Sequence, residues 1–244
     1  MRALLKRYLS PATRNRIRSM QPSFMFRRIS FSQCGEDLLV VFLLDLICGA
    51  RPKRYLDVGA NHPYHLSNTA LLSARGGTGI VVEPDPYFAN LLRKARPKDR
   101  VLEEGVHFSG EARAEFFILD SPTLNTFSRH EMERYVSMGH RLEKTLSVRL
   151  RGINEILEMA GDLDFMNLDI EGLDKTILEQ IDWDKYRPAC ICVETITYET
   201  RQEPRKLTDI VEFMQAHDYM LYADTFINSI FVDRRQWQAR WERG

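Results

Sequence analysis

The chain has 244 residues, of which 44% are hydrophobic, 10% aromatic and 28% charged, enough for one sizeable α/β domain with elaborations and too apolar for a disordered chain. Thirty-four Lys and Arg balance thirty-four Asp and Glu, which argues against a surface built as a whole to grip nucleic acid. The four cysteines, Cys34, Cys48, Cys190 and Cys192, have no zinc spacing and are too few for a disulfide framework, so free, mostly buried thiols in a reducing compartment are expected.

Residues 1–30 form a basic arm. Arg2, Lys6, Arg7, Arg14, Arg16, Arg18, Arg27 and Arg28 precede the first acid, Glu36. Such a stretch reads either as a solvated, frayed arm or as one that touches an anionic surface, a membrane face or a charged acceptor. Basic residues interrupt the N-terminus before any secretory apolar region can form. The greasiest stretch, Leu38–Cys48, is too short to span a bilayer and carries Asp45, so a helix buried in the core is expected there. These features predict a cytoplasmic protein, with peripheral contact at the inner face of the membrane where the arm engages it.

From Phe31 onward strands alternate with helices. Arg54–Gly59 reads as a buried strand ending in a turn, and Gly79–Glu83 as a second. Asp85 then caps a helix with Pro86 in its first turn and Phe88, Leu91, Leu92 and Ala95 on its apolar face. Val101–Val106 is a weaker third strand, Asp164–Asp169 a fourth and Ala189–Glu194 a fifth, with closing strands around Tyr219–Ala223 and Ser229–Val232. Helical stripes run through Leu173, Ile177, Leu178 and Ile181, and through Leu207, Ile210, Val211 and Met214. The pattern predicts a mostly parallel sheet with helices on both faces. The segment 116–150 is longer than a simple crossover; Phe116–Leu119 and Leu146–Val148 read as a strand pair enclosing a polar helix over Arg129–Leu142. The chain thus divides into the arm 1–30, a domain over 31–233 with 116–150 as an acceptor lid or surface elaboration, and a tail 234–244.

Ligands of such sheets sit at the carboxyl ends of the strands, where Asp57, Glu83, Asp169, Glu171 and Glu194 gather. Glu83, twenty-six positions after Asp57, is suited to the vicinal hydroxyls of a ribose. The turn Gly59-Ala60-Asn61-His62-Pro63-Tyr64 lacks the later glycines of a dinucleotide fingerprint, and no phosphate-cradling lysine loop exists. An adenosine ligand with a phosphate-free zwitterionic tail fits better, which points to S-adenosylmethionine.

Ser32-Gln33-Cys34-Gly35-Glu36-Asp37, Asp57-Val58-Gly59-Ala60-Asn61-His62-Pro63, Ser67-Asn68-Thr69, Glu83-Pro84 and Asp169-Ile170-Glu171-Gly172 together resemble the FkbM-type methyltransferase family. The resemblance runs from about Phe31 to Glu194. It implies a Rossmann-like class I methyltransferase sheet of seven strands, S-adenosylmethionine as donor, and O-methylation of a hydroxyl on a sugar, glycolipid or secondary metabolite. By the same resemblance, Gly59, Ala60 and Asn61 pass close to the methionine part of the donor on a turn fixed by Asp57. Ser67, Asn68 and Thr69 open a helix suited to its carboxylate, Glu83 holds the ribose, and Gln33, Gly35 and Glu36 form a flap over it. Asp169 and Glu171 face the donor's amino group or the acceptor. Read without the family, Ser32–Asp37 also fits a cap in which Ser32 pairs with Gly35 or Glu36.

Methyl transfer to an alcohol calls for a base in the cleft. The carboxylate candidates are Glu194, Asp169 and Glu171, with Glu194 and Asp169 foremost. His62 and His65 lie in the loop after the first strand, whereas His107, His130, His140 and His217 read as surface or packing residues. A divalent ion could bridge Asp169 and Glu194, but two acids are thin support for a metal and none is assigned. Asp169-Ile170-Glu171-Gly172 stands where nucleic-acid amino-methylating enzymes carry an N/D-P-P-Y/F run, so a small-molecule or glycan hydroxyl is the expected acceptor. The alternatives are a nucleotide-binding oxidoreductase on the same sheet, or a binding protein of this fold without activity.

Overall fold

A computed structural model describes residues 10, 13, 27–106, 110–170, 172–197 and 205–241. The chain divides into two units, Met1–Ser30 and Phe31–Gly244, and the second carries the fold. The readings of the basic arm, of Glu171 and of His107 fall wholly or largely outside the described residues.

The second unit opens with α1 (Glu36–Cys48), followed by β1 (Arg54–Val58), α2 (Ala70–Ala74), β2 (Thr78–Val82), α3 (Pro86–Ala95), β3 (Arg100–Leu102) and β4 (Gly105–Val106). Next come β5 (Arg113–Leu119), a 3₁₀ turn over Pro122–Leu124, α4 (Arg129–Ser137), β6 (Leu142–Arg151), α5 (Ile153–Ala160), β7 (Phe165–Leu168) and α6 (Asp174–Leu178). The chain closes with β8 (Cys190–Glu194), β9 (Ile196–Thr197), β10 (Arg205–Lys206), α7 (Thr208–Ala216), β11 (Tyr219–Asp224), β12 (Asn228–Asp233) and α8 (Arg234–Ala239).

Seven strands form the expected sheet in the order β11-β12-β8-β7-β1-β2-β3. All its pairings are parallel except those of β12, which runs antiparallel to both β8 and β11. The strands read as near-continuous apolar runs because both faces are covered. Leu56, Val58, Met166, Leu168, Ile191 and Val193 bury one face with residues of α5, α6 and α7. Tyr55, Phe165, Cys190, Cys192 and Ile230 bury the other with residues of α1, α2 and α3. Cys190 and Cys192 lie in this core, whereas Cys34 is exposed; all four are free thiols. Asp85 caps α3 by accepting the Tyr87 N–H at 2.8 Å, with Pro86 in the first turn. Beyond Asp233, whose carboxylate accepts the N–H groups of Arg235 and Gln236, the chain continues as α8 and packs Trp237 against the core.

The expected third strand over 101–106 is two elements. Arg100–Leu102 joins the main sheet beside β2, and Gly105–Val106 leaves it to pair with Leu150 and Arg151 of β6 in a separate sheet of order β4-β6-β5. The switch depends on Gly105. A Cβ there would come within 2.5 Å of the Phe127 ring and 2.7 Å of Leu150. β5 and β6 pair antiparallel, with Phe116 opposite Leu146.

Gly59 fixes how β1 hands over to its loop. It has φ +82°, and a Cβ on it would lie 1.8 Å from the Asp169 carbonyl oxygen. Gly59→Ala is expected to cost about 2–4 kcal/mol from the left-handed backbone and the forced separation of β1 from the β7 loop. A thermal melt that leaves the midpoint within about 2 °C of wild type would contradict this packing.

Candidate active site

The site grows from one row of side chains across the sheet. Register places Asp57 of β1 beside Asn167 of β7, and Asn167 beside Cys192 of β8. Asn167 Nδ2 donates to Asp57 Oδ1 at 2.9 Å, and Asn68 Nδ2 donates to Asn167 Oδ1 at 2.9 Å. The Thr69 hydroxyl donates to Asp57 Oδ2. Behind the loop, the buried guanidinium of Arg96 donates to Thr69 Oγ1 and Ser67 Oγ, both at 2.7 Å, and to the Pro63 carbonyl, and stands 3.9 Å from Asp57. Burial pushes the Asp57 carboxyl upward, while Arg96, Thr69 and Asn167 pull it back. The loop 60–69 is therefore clamped from inside by one buried charge and its partners.

Ser67 both caps the turn that opens α2 and lines the cavity. α2 spans five residues, and Ser67 Oγ itself accepts the N–H groups of Ala70 at 3.2 Å and Thr69 at 3.4 Å. The opening turn thus draws its acceptor from inside the protein, and Thr69 does not line the cavity. Asn68 does line it, and its Oδ1, though buried, accepts from nothing among the described residues.

Glu83 follows β2 and is 4% exposed. Its Oε2 accepts the Asn61 N–H and its Oε1 the Asp85 N–H, both at 2.7 Å. Asn61 reaches this bond from a left-handed conformation, φ +46°. Burial drives the Glu83 carboxyl up to about 8 against the pull of those two N–H groups, with Asp85 and Asp57 adding to the rise. Two lone pairs on the carboxylate remain for a ligand.

Asp169, after β7, is half-buried, and its carboxyl is pushed up by burial and by the neighbouring Asp174 and Asp57. Asp174 holds this loop by accepting the Ile170 N–H at 3.2 Å. Burial raises Asp174 to about 6. Glu194 ends β8 at 8% exposure, opposite Asn228 at the start of β12.

These residues line a cavity of about 540 Å³ at the carboxyl edge of the sheet, within the range of small-molecule sites. Gln33, Asp57, Gly59, Ala60, Asn61, Ser67, Asn68, Glu83, Asp169 and Glu194 contribute to its wall. Gly35 and Glu36 stand behind it. Glu36 Oε1 accepts from the Thr225 hydroxyl at 2.7 Å and Asn228 Nδ2 at 3.1 Å, and Oε2 from the Cys34 N–H at 2.8 Å. Burial alone would raise this carboxyl, but its hydrogen bonds outweigh that and hold it below the usual range. Of the expected flap, Gln33 alone reaches the cavity. Ser32 makes the expected pairing with Gly35, its Oγ accepting the Gly35 N–H at 3.1 Å, and it donates to Asp37, which accepts the Phe31 N–H at 2.7 Å.

Phe116 of β5 and, from the segment between β5 and β6, Thr123–Phe127, Arg134, Tyr135, Met138 and His140 line the far side of the cavity. His140, read from sequence as a surface or packing residue, lines the cavity with Nδ1 3.0 Å from Asp120 Oδ1. His65 lines it too, whereas His62 Nδ1 accepts the N–H groups of Tyr64 and His65 and shapes the loop. His217 packs between Trp183 and Phe213. Among the described residues no group of three or more His, Cys, Asp or Glu could hold a metal ion. Sequence reasoning missed Arg96, Asn167, Asn228 and Arg134. Asn167 had a visible signal, a polar residue between Met166 and Leu168 in a strand buried on both faces.

A carboxyl whose folded value lies above its unfolded value binds protons in the native state that the unfolded state has released, so stability falls as pH rises between the two. For Glu83 that window runs from about 4.5 to about 8. The melting temperature of the ligand-free protein is expected to fall across pH 5–8, and Glu83→Gln to flatten that slope. An unchanged slope in the variant would remove Glu83 from this account.

A family model described as "Methyltransferase FkbM domain" matches residues 57–221. No curated protein matches the chain. Among solved structures, the chain is similar to a methyltransferase FkbM from Methylobacillus flagellatus KT, with 15% identity, TM-score 0.41, and coverage of 74% of this chain and 43% of the other, so it spans less than half of that protein. It is also similar to the 1,6-didemethyltoxoflavin-N1-methyltransferase of Burkholderia thailandensis solved with S-adenosylhomocysteine (12%, TM-score 0.41, 82% and 79% covered). A third likeness is a SAM-dependent O-methyltransferase from Thermotoga maritima (11%, TM-score 0.43, 84% and 67% covered). The family match covers more than half of the chain and contains Asp57, Glu83, Asp169 and Glu194: the chain belongs to the FkbM methyltransferase family.

Proposed function

We propose that this chain is an S-adenosylmethionine-dependent O-methyltransferase acting on a hydroxyl of a sugar, glycan or secondary metabolite. The observation that carries the reading is Glu83, a buried carboxylate on the cavity wall with two lone pairs left for a ribose diol. The rest of the wall fits the same group. The Asn68 Oδ1 needs a donor, which an ammonium would supply. When bound, S-adenosylmethionine supplies a methyl group on a positively charged sulfur.

The remaining work falls to the chain. Asp169 or Glu194 takes the proton of the acceptor hydroxyl on a carboxylate oxygen. The upward push on Asp169 suits this, because a more basic carboxylate shares the proton better near neutral pH. The segment 116–150 serves as the lid that excludes water and selects the acceptor. The basic arm adds peripheral attachment to an anionic membrane surface, each Lys or Arg contributing about 1 kcal/mol when engaged. No helix among the described residues is long and apolar enough to cross a membrane.

Calorimetry with S-adenosylhomocysteine tests the donor. Glu83→Ala is expected to weaken binding about tenfold, since a ribose diol loses two hydrogen bonds and each contributes about 1 kcal/mol. Binding of NAD in place of S-adenosylhomocysteine would favour an oxidoreductase and overturn the reading. Labelled-methyl transfer into extracts of the source cell then tests the base. Asp169→Asn or Glu194→Gln is expected to slow transfer roughly 10²–10⁴-fold with donor binding spared, and full activity in both would exclude a carboxylate base. For the arm, a chain beginning at Ser30 should keep donor binding and sediment less with anionic vesicles at low salt; equal sedimentation refutes the attachment.

A further inference from the structure

The strap 121–126 contributes Thr123, Leu124, Asn125 and Thr126 to the cavity wall. Its end is fastened to β5, where Phe117 and Thr126 exchange backbone N–H···O bonds at 2.9 and 3.1 Å. Asn125 works in two directions. Its Oδ1 accepts the Leu119 N–H at 2.9 Å within the strap's own sheet, and its Nδ2 donates to Asp85 Oδ2 at 3.2 Å on the other side of the cavity. A second tie runs the opposite way, from Asn61 Nδ2 to the Pro122 carbonyl at 3.2 Å.

Asn61 and Asp85 are the same two residues whose N–H groups Glu83 accepts, each at 2.7 Å. Each of them therefore gives its backbone to the carboxylate and its side chain to the strap. The bond from Asn125 has a carboxylate acceptor and is of the stronger, charge-assisted kind. Asp85 is itself held at the start of α3, because its Oδ1 accepts the Tyr87 N–H at 2.8 Å. Two events that order the same groups are coupled, since whichever comes first lowers the cost of the other. A diol on Glu83 fixes the carboxylate and with it both N–H groups, and the strap then anchors on residues already in place. We propose that Asn125 is a positioning residue that couples the two sides of the cavity, so that a donor bound at Glu83 tightens the strap and loss of the strap's tie weakens donor binding. The proposal rests on the S-adenosylmethionine reading above.

The test follows hydrogen exchange of the Phe117 and Thr126 amides, together with calorimetry of S-adenosylhomocysteine, in the full chain. Asn125→Asp keeps an oxygen for the Leu119 N–H but turns another oxygen toward Asp85, so it separates the tie from any role inside the strap. In wild type, saturating S-adenosylhomocysteine is expected to slow both amides at least about fivefold. In Asn125→Asp and in Asn125→Ala the slowing is expected to fall below about twofold, and the affinity to drop roughly three- to tenfold. Coupling is reciprocal, and Gln offers one acceptor oxygen where the carboxylate has two. Ligand-free Glu83→Gln is therefore expected to exchange both amides at least about threefold faster than ligand-free wild type.

An Asn125→Asp variant that matches wild type in both measurements overturns the proposal, because a role confined to the strap survives that change. Wild-type amides that S-adenosylhomocysteine leaves unmoved overturn it as well, as do unchanged exchange rates in Glu83→Gln. Should wild type fail to bind S-adenosylhomocysteine, the donor reading fails separately, and the ligand-free comparison with Glu83→Gln decides whether Glu83 holds the strap. If the Asn125 variants do not fold, the wild-type response and that same comparison still decide it.

Discussion

The buried carboxylate of Asp57 is the interaction on which the site depends. It lies in the middle of the sheet, 2% exposed, where a lone charge would be very unfavourable. Its partners come from three stretches of chain: Asn167 from the neighbouring strand, Thr69 from the loop, and Arg96 from beyond α3. Each partner is anchored in turn, Arg96 on the Pro63 carbonyl and Ser67, Asn167 on Asn68. The conformation of the loop, including the left-handed Asn61 that reaches Glu83, is thereby set before any ligand arrives. A binding wall held this way loses little order on binding, which favours affinity.

The two sides of the cavity answer different chemical demands. The sheet side is built on rigid strand ends, and its acids stand at fixed spacing because β1, β2, β7 and β8 are paired in register. That side suits the part of the reaction shared across a family. The far side is an excursion from the sheet, anchored by the β5–β6 pairing and by β4. Its residues can change without disturbing the floor, because they belong to a separate sheet.

Much of this was legible in the amino-acid pattern. The strand runs around Arg54, Gly79, Phe165 and Cys190 stand out because they are apolar on both faces and end in Gly, Pro or an acid, and Asp85-Pro86 marks a helix start by local chemistry alone. The acids at the strand ends follow from the same reading. What escaped was tertiary. Gly105 turns the chain out of the main sheet because of Phe127 and Leu150, which lie 22 and 45 residues away in sequence. Arg96 follows the solvent-facing Arg93 and Lys94 and looks like one more of them, yet it is buried because the 63–69 loop folds over it. Glu36 carries the signature of a flap residue, but its carboxylate is consumed by Thr225 and Asn228. His140 resembles any polar residue after a surface helix until the β5–β6 pairing carries it to the cavity.

The hydrogen bonds of Glu36 have a consequence for the order in which the protein becomes competent during synthesis. Its partners Thr225 and Asn228 lie 189 and 192 positions further along the chain. Closing so long a loop costs entropy that local contacts cannot offset early. On the ribosome, the floor made by β1, β2 and β7 has its full sequence available well before Asn228 is made. The stretch bearing Gln33 has no C-terminal hairpin to tie to until then. The wall of the cavity is thus completed last, by residues from opposite ends of the domain, and a nascent chain carries the acidic floor open to solvent until the final strand pair has been synthesised.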